Sequence, residues 1–168
     1  VLPAANGHMS ARALARFYAG LVSPLGRHGR LLNEETIRDC VSACGGEKSP
    51  KSARQDPTLA QHLATFSLGF QVHAMKEKRR RREVHSIGHA GVGGSLGFVI
   101  PEIEAAVGIT VSELTGSRTV PNLICSLVCD ALGVVPPPAM VGSTQALAAD
   151  LARLAGRAGF SVPSAERK

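Results

Sequence analysis

The spacing of hydrophobic positions predicts helices near both ends of the chain and short strands in the middle. The first helix has apolar residues at the i, i+3, i+4, i+7 and i+8 positions: Leu14, Phe17, Tyr18, Leu21 and Val22. Ser10 can cap this helix and Pro24 ends it. A second helix is predicted after Asn33, with Ile37 on its buried side.

Four short segments have the composition of strands. Residues 66–72 alternate apolar with small or polar side chains, which predicts one strand with a single buried face. Residues 84–89, 96–100 and 106–111 follow as three more strands. Between the first two strands lies a basic run, 76–82, which we interpret as a solvated hairpin tip because charge blocks of this length repel compaction.

The last third of the chain returns to helical spacing. A helix is predicted from Pro121 to about Leu132, because proline suits a first helical turn. Its expected buried face is Leu123, Ile124, Leu127, Val128, Ala131 and Leu132. The proline-rich stretch 134–138 reads as an extended linker, and 144–158 as a further helix. Residues 45–57 have no periodicity and are predicted to form a surface loop.

These elements predict an α+β fold in which an antiparallel β-sheet is flanked by helices. A chain of 168 residues can bury roughly 70% of the surface that its unfolded form exposes, so one sizeable core is possible. We divide it into residues 1–133, which form the main domain, and 134–168, which are a linker and an appended helix. No apolar run reaches the length of a membrane span, and no membrane partner is predicted.

The net charge of +6 is local rather than general. Six cations and two carboxylates between residues 76 and 83 hold four of the six net positive charges. No aromatic side chains are interleaved with this run, so the pattern does not favour nucleic-acid binding by the whole domain.

Four cysteines form two pairs at i, i+4 spacing, Cys40 with Cys44 and Cys125 with Cys129. Each pair would share one helix face, and two such helices could form a four-sulfur metal site. The alternative is that the cysteines are small buried hydrophobes. Because the Cys-x-x-Cys spacing of most zinc sites is absent, we predict no metal and no cofactor.

The most informative stretch begins at Gly88-His89-Ala90-Gly91 and continues through Val92-Gly93-Gly94-Ser95 to Leu96-Gly97-Phe98. A strand ends in a histidine, and three glycines then occupy four positions. Bare backbone over this length would let another molecule approach the main chain closely. Gly-x-Ser-x-Gly is also present around Ser95, but a nucleophile elbow needs a helix after the serine, and a strand is predicted here.

This stretch resembles the β-lactamase-related serine hydrolases of the class C, penicillin-binding and esterase type. Their third motif is Lys-Thr-Gly or His-x-Gly, commonly followed by x-Gly-Gly-Ser-Leu-Gly-Phe, as in residues 89–98. The segment from Pro3 to Tyr18 is similar to the one that enters the family's long helix after its second motif. The resemblance runs from about Pro3 to about Leu132 and covers only the family's C-terminal portion.

The resemblance implies hydrolysis of a small ester or amide through an acyl-enzyme, with roles for three residues of this chain. His89 would be the polar or cationic partner of the substrate, Gly91 would permit close approach, and the N–H of Val92 would donate to the oxyanion. The departures from the family pattern are Ile100, where an acidic residue is usual, and Ser112, where an asparagine is usual.

The family's first two motifs are absent. None of the five lysines has a serine three positions earlier, and Tyr18, the single tyrosine, is followed by Gly20 where Asn or Ser would be required. We therefore expect a partial domain that is inactive alone, with the missing N-terminal part of the domain as a possible partner. The alternative is a non-catalytic interaction module that binds acidic partners through the basic run 76–82.

Overall fold

The structure, a computed structural model, describes residues 7–25, 29–42, 66–91, 93–113, 117–142 and 144–157. Within these ranges the chain forms helices and one antiparallel sheet, so the predicted α+β class is confirmed. The predicted loop at 45–57, Cys44 and Val92 lie outside the described residues.

Six described strands make up the sheet, and five of them follow one another in chain order as a meander. Their bounds are Phe66–Ser67 (β1), Phe70–Glu77 (β2), Glu83–Ala90 (β3), Leu96–Ile100 (β4), Ala105–Ile109 (β5) and Val134–Val135 (β6). The last strand pairs with the far end of β2. In the register of the central pairs, His89 lies opposite Gly97 on β4, and Gly97 lies opposite Gly108 on β5.

Helices pack on both faces of the sheet. Their bounds are Ala11–Val22 (α1), Glu34–Ser42 (α2), Thr119–Ala131 (α3), Pro138–Val141 (α4) and Thr144–Arg157 (α5). Ser10 caps α1 by accepting from the N–H of Ala13, and Asn33 caps α2 by accepting from the N–H of Thr36 at 2.7 Å. Both residues were predicted to stand at the start of these helices. Each places a side-chain acceptor at a helix N–H that would otherwise be unpaired.

Two hydrophobic clusters fill the space on the two sides of the sheet. The first, under α1 and α2, contains Tyr18, Leu21, Ile37, Cys40, Val72, Ile87 and Val99. The second, under α3 and α4, contains Met75, Val84, Leu96, Phe98, Ile100, Val107, Ile109, Cys125, Cys129, Val134, Met140 and Val141. Successive residues of β4 alternate between the two clusters, as the pleat of a strand buried on both faces requires.

A pair of facing glycines lets α1 lie against the sheet. A methyl group on Gly108 would stand 2.4 Å from the carbonyl oxygen of Ala11 and 2.7 Å from the amide nitrogen of Ala15. One on Gly97 would stand 2.2 Å from the Tyr18 ring. The cross-strand pair therefore forms a trough whose depth sets the distance between α1 and the strands.

The prediction of one strand over residues 66–72 is wrong. Leu68 and Gly69 both have positive φ, 48° and 87°, and form a two-residue turn between β1 and β2. Positive φ at both central residues is the geometry that suits the twist of a tight hairpin. Leu68 is 60% exposed at this turn, so its apolar side chain does not mark a buried strand position.

The predicted buried face of α3 is wrong for most of its residues, although Val128 does pack against the core. The buried residues of this helix are Pro121, Cys125 and Cys129. Ile124 and Leu127, which the spacing assigned to the core, are 41% and 61% exposed. The small cysteine side chains face the sheet because α3 lies close to the large side chain of Phe98, and the larger aliphatic residues are left outside.

Residues 134–141 differ from the extended linker that the prolines indicated. Val134 is fully buried in β6, which pairs with β2, and Met140 and Val141 contribute to the core under α3. The helix predicted over 144–158 is present as α5. The domain division after residue 133 stays a prediction. Among the described helices, none combines the length and apolar composition of a membrane span.

We predict that Gly108→Ala destabilises the protein by about 1–3 kcal/mol, because the new methyl group meets the main chain of α1, which cannot rotate away. Urea denaturation measures the effect. The matched control is Gly156→Ala in α5, where a methyl group would meet nothing within 4 Å and should stabilise by about 0.5–1 kcal/mol. Equal stability of the two variants would contradict the conclusion that Gly108 is needed for the close approach of α1 to the sheet.

Candidate functional site

The predicted site residue His89 lies near the end of β3 with its imidazole exposed. It occupies the sheet face that carries α1, since its cross-strand partner Gly97 meets Tyr18 on that face. The Phe66 ring stands 5.5 Å from the imidazole, centroid to centroid, at an interplanar angle of 61°. This edge contact holds one side of the imidazole and leaves the other toward solvent.

Tyr18 lies beneath His89 and is bonded to the main chain of that residue. Burial of the phenol raises the pKa of Tyr18 above its ordinary value, and the hydrogen bond to His89 lowers it by a smaller amount. The hydroxyl therefore keeps its proton to a higher pH than that of an ordinary tyrosine. It positions the strand end that carries the histidine, and it makes the helix α1 part of the site.

Gly91 begins the turn that connects β3 to β4. Its N–H donates to the carbonyl of Ser95 at 2.7 Å, and its carbonyl accepts from Gly94 at 3.2 Å. The N–H of Ala90 donates to the side-chain oxygen of Gln71 at 2.8 Å. The amides of Ala90 and Gly91 are thus both used within the chain, and neither is free to act as an oxyanion donor.

The third predicted site residue, Val92, lies outside the described residues, so its role as an oxyanion donor stays a prediction.

Backbone conformation and packing explain Gly93 and Gly94, the two glycines after Val92. Gly93 and Gly94 are buried with φ of 89° and 106°, values that side chains rarely adopt. A methyl group on Gly94 would stand 2.4 Å from the ring of Pro121 at the start of α3. Gly94 is therefore required by the packing of Pro121 against it, and Gly93 by its backbone conformation.

Among the described residues, no hydrogen bond joins the His89 imidazole to a serine, threonine or cysteine side chain. Ser95 accepts a hydrogen bond from the N–H of Val111 at 3.2 Å and is followed by a strand, so it is not a nucleophile elbow. The described site therefore holds an exposed imidazole to which no described serine, threonine or cysteine side chain is hydrogen-bonded.

The three described cysteines do not gather into one metal site. Cys40 lies on the buried side of α2 and donates to the carbonyl of Ser67, whereas Cys125 and Cys129 lie on the buried side of α3, on the other face of the sheet. The free thiols of Cys125 and Cys129 are hydrogen-bonded to each other, which lowers the pKa of Cys125 and raises that of Cys129. In the described ranges, no cluster of His, Cys, Asp and Glu could hold a metal ion.

The basic run forms the tip of the β2–β3 hairpin, as predicted, but much of its charge is paired. Arg82 and Arg80 contact the Glu77 carboxylate at 2.5 and 3.9 Å, and Lys78 contacts Asp130 at the end of α3. These pairs tie the hairpin tip to its own strand and to the neighbouring helix. Arg79 and Arg81 remain exposed at the tip.

Two other histidines of the sheet lie away from His89. His85 stands between the carboxylates of Glu83 and Glu102, with nitrogen–oxygen distances of 3.3 and 3.1 Å. His73 lies on the opposite face, and burial lowers its pKa. Neither belongs to the arrangement around Gly91.

Sequence reasoning missed three neighbours of His89: Phe66, Gln71 and Tyr18. Tyr18 was assigned only to the apolar stripe of α1, which is correct but incomplete, since its hydroxyl also reaches His89. The available signal was that a buried tyrosine needs a partner for its hydroxyl. Phe66 reaches His89 because of the turn at Leu68, which the sequence did not predict, whereas Gln71 reaches the adjacent N–H of Ala90 from β2.

We predict that Tyr18 remains protonated in the folded protein above its ordinary pKa of 10.0. Because the unfolded chain ionises first, the stability that this difference contributes is complete below about pH 10 and is lost as pH rises through the folded pKa. Phenolate absorbance measures the titration without interference, since Tyr18 is the single tyrosine and tryptophan is absent.

The control is Tyr18→Phe, which should cost about 1 kcal/mol through the lost hydrogen bond and should flatten the alkaline part of the stability profile. A titration midpoint at or below the ordinary value in the folded protein would contradict this description of the site.

Comparison of the chain with protein-family models, with curated proteins and with solved structures found no match.

Proposed function

We propose that these residues form the substrate-binding side of a serine hydrolase domain of the β-lactamase-related type. The nucleophile and its base would come from a part of that domain other than these residues. The observation that carries the proposal is the exposed His89 imidazole at the end of β3, beside the Gly91 turn and over the buried hydroxyl of Tyr18. The complete domain would hydrolyse a small ester or amide.

The chemistry of the described groups fits that role better than a catalytic role. An imidazole that is fixed by an aromatic ring on one side can donate a hydrogen bond to a carbonyl or carboxylate oxygen on the other. Without an activated hydroxyl or thiol nearby it can bind and orient an acyl group, but it cannot form an acyl-enzyme.

The architecture supports the proposal in two further ways. The antiparallel meander with helices on both faces is the arrangement that the family resemblance implies. The outer side of α3 exposes Val120, Ile124 and Leu127 at helical spacing, with exposed fractions of 50%, 41% and 61%. An apolar stripe of this kind is expected on a domain from which a packed neighbour is missing.

We predict that the isolated chain binds short acyl compounds at His89 and does not hydrolyse them. Ethyl butyrate and butyramide should shift the NMR signals of the His89 ring and the Gly91 amide, because the carbonyl oxygen accepts from the imidazole. A serine-directed fluorophosphonate should not label the chain, since within the described ranges no serine, threonine or cysteine side chain is hydrogen-bonded to the histidine.

The matched pair of variants is His89→Asn and His8→Asn, because both histidines are exposed but only the first lies at the site. The shifts at Gly91 should disappear in the first variant and persist in the second. Absence of any shift at His89 would overturn the substrate-binding role. Stoichiometric fluorophosphonate labelling would show that the chain has its own nucleophile and would overturn the prediction that it does not hydrolyse these compounds.

A second candidate is an interaction module for acidic partners, favoured by the exposed position of Arg79 and Arg81 at the hairpin tip. Because Lys78, Arg80 and Arg82 are already ion-paired, only Lys76, Arg79 and Arg81 of this run remain to neutralise phosphates. Three phosphate contacts would give a slope of about −3 in a plot of log affinity against log salt concentration.

The measurement for this candidate is binding to mixed-sequence duplex DNA over a range of salt concentrations. Under our main proposal the slope should be about −3 or shallower and should vanish when Lys76, Arg79 and Arg81 are replaced by Ser. The matched control replaces Arg12 and Arg16, which are exposed on α1, by Ser. A slope of about −5 or steeper would favour the interaction module instead.

A further inference from the structure

A cavity of about 420 Å³ lies at the opposite end of β4 from the Gly91 turn. It is bounded by the end of α1, by one side of α2 and by the short 3₁₀ turn Pro101–Ile103 that connects β4 to β5. Its volume falls within the usual range for small-molecule sites, about 300–1,000 Å³. The proposed function makes no use of this cavity.

The inner part of the cavity is apolar. Val22 from α1, Ile37 and Val41 from α2, and Pro101 from the turn line it. Ile37 is buried in the core under α1 and α2, so this floor is a continuation of a packed cluster. A ligand that fits here needs an apolar body to replace water at these side chains.

The rim of the cavity carries charges of both signs on facing elements. Arg30, Glu34 and Arg38 come from the α2 side, and Glu102 and Glu104 come from the turn. Three of the ionic groups have partners within the chain: Arg30 lies 3.9 Å from Glu34, and Glu102 accepts from the N–H of His85 at 3.0 Å.

The remaining two charges face the cavity from opposite walls. Among the described residues, no ion pair involves the Arg38 guanidinium or the Glu104 carboxylate. Glu104 is held in a left-handed conformation, φ 50°, at the end of the 3₁₀ turn. A left-handed position suits glycine, asparagine or aspartate better than glutamate, so this residue type is not explained by the turn itself.

We propose that this cavity binds a short peptide with free termini and an apolar side chain. The side chain would occupy the floor formed by Val22, Ile37, Val41 and Pro101. The terminal carboxylate would pair with Arg38 and the terminal ammonium with Glu104. A ligand with a single charge would leave either Arg38 or Glu104 without a partner, and an uncharged apolar ligand would leave both without one. The proposal is independent of the function proposed for His89.

The test is calorimetric titration of the chain with Leu-Leu, with N-acetyl-Leu-Leu and with Leu-Leu-amide. We expect Leu-Leu to bind, and each capped peptide to bind about tenfold more weakly because one charge-assisted contact is lost. NMR shifts should occur at the methyl groups of Val22 and Val41 and not at the His89 ring, which separates this site from the acyl-binding one.

Two variants assign the termini. In Arg38→Gln, amidation of the peptide should no longer weaken binding, whereas acetylation still should; in Glu104→Gln the pattern should be reversed. The control is Arg12→Gln, an exposed cation on α1 outside the cavity. Thermal melting establishes that each variant is folded. Equal affinities for the three peptides, no binding of Leu-Leu, or shifts away from Val22 and Val41 would overturn the proposal.

Discussion

The contact between α1 and the strands β4 and β5 determines where the candidate site can form. Two facing glycines, Gly97 and Gly108, remove the side chains that would otherwise hold the helix away from the sheet. The close approach is between backbones at Gly108, since the nearest atoms belong to the main chain of Ala11 and Ala15. A larger residue at either position would push α1 away from β4 and would change the contacts that α1 makes with the sheet.

The main dependent feature is the link between Tyr18 and His89. Because α1 lies in the glycine trough, the Tyr18 ring rests over Gly97 and its hydroxyl reaches the main chain of the neighbouring strand. Core packing and site geometry are thus set by the same contact. Burial lets the phenol keep its proton to a higher pH than that of an ordinary tyrosine, so it contributes a positioning hydrogen bond rather than a negative charge. The imidazole above it remains the polar group that a ligand would meet.

Local signals in the sequence predicted the parts of the fold that depend on neighbouring residues. Ser10 and Asn33 were recognisable caps because each supplies an acceptor to the first turn of a helix. The turn at Leu68 was missed because leucine rarely adopts positive φ and carries no signal for it. The buried face of α3 was misassigned because helical spacing gives several possible stripes, and only the packing against Phe98 selects the one with Cys125 and Cys129.

Two explanations apply to the segment that begins at His89: packing of helices on the sheet explains its glycines, and a functional role would explain the histidine. Gly94 and Gly97 are required by close contacts with Pro121 and Tyr18, respectively. A protein with the same helix packing but no ligand site would therefore also need glycine at these two positions. The residues Gly94 and Gly97 therefore follow from the packing of α3 and α1 against the sheet and do not by themselves indicate a ligand site. Exposed His89 is not explained by packing, because its imidazole contributes little to either hydrophobic cluster. The functional part of the resemblance accordingly depends on His89 and the turn at Gly91, and a ligand that distinguishes these two residues tests it more directly than any further comparison of the glycines.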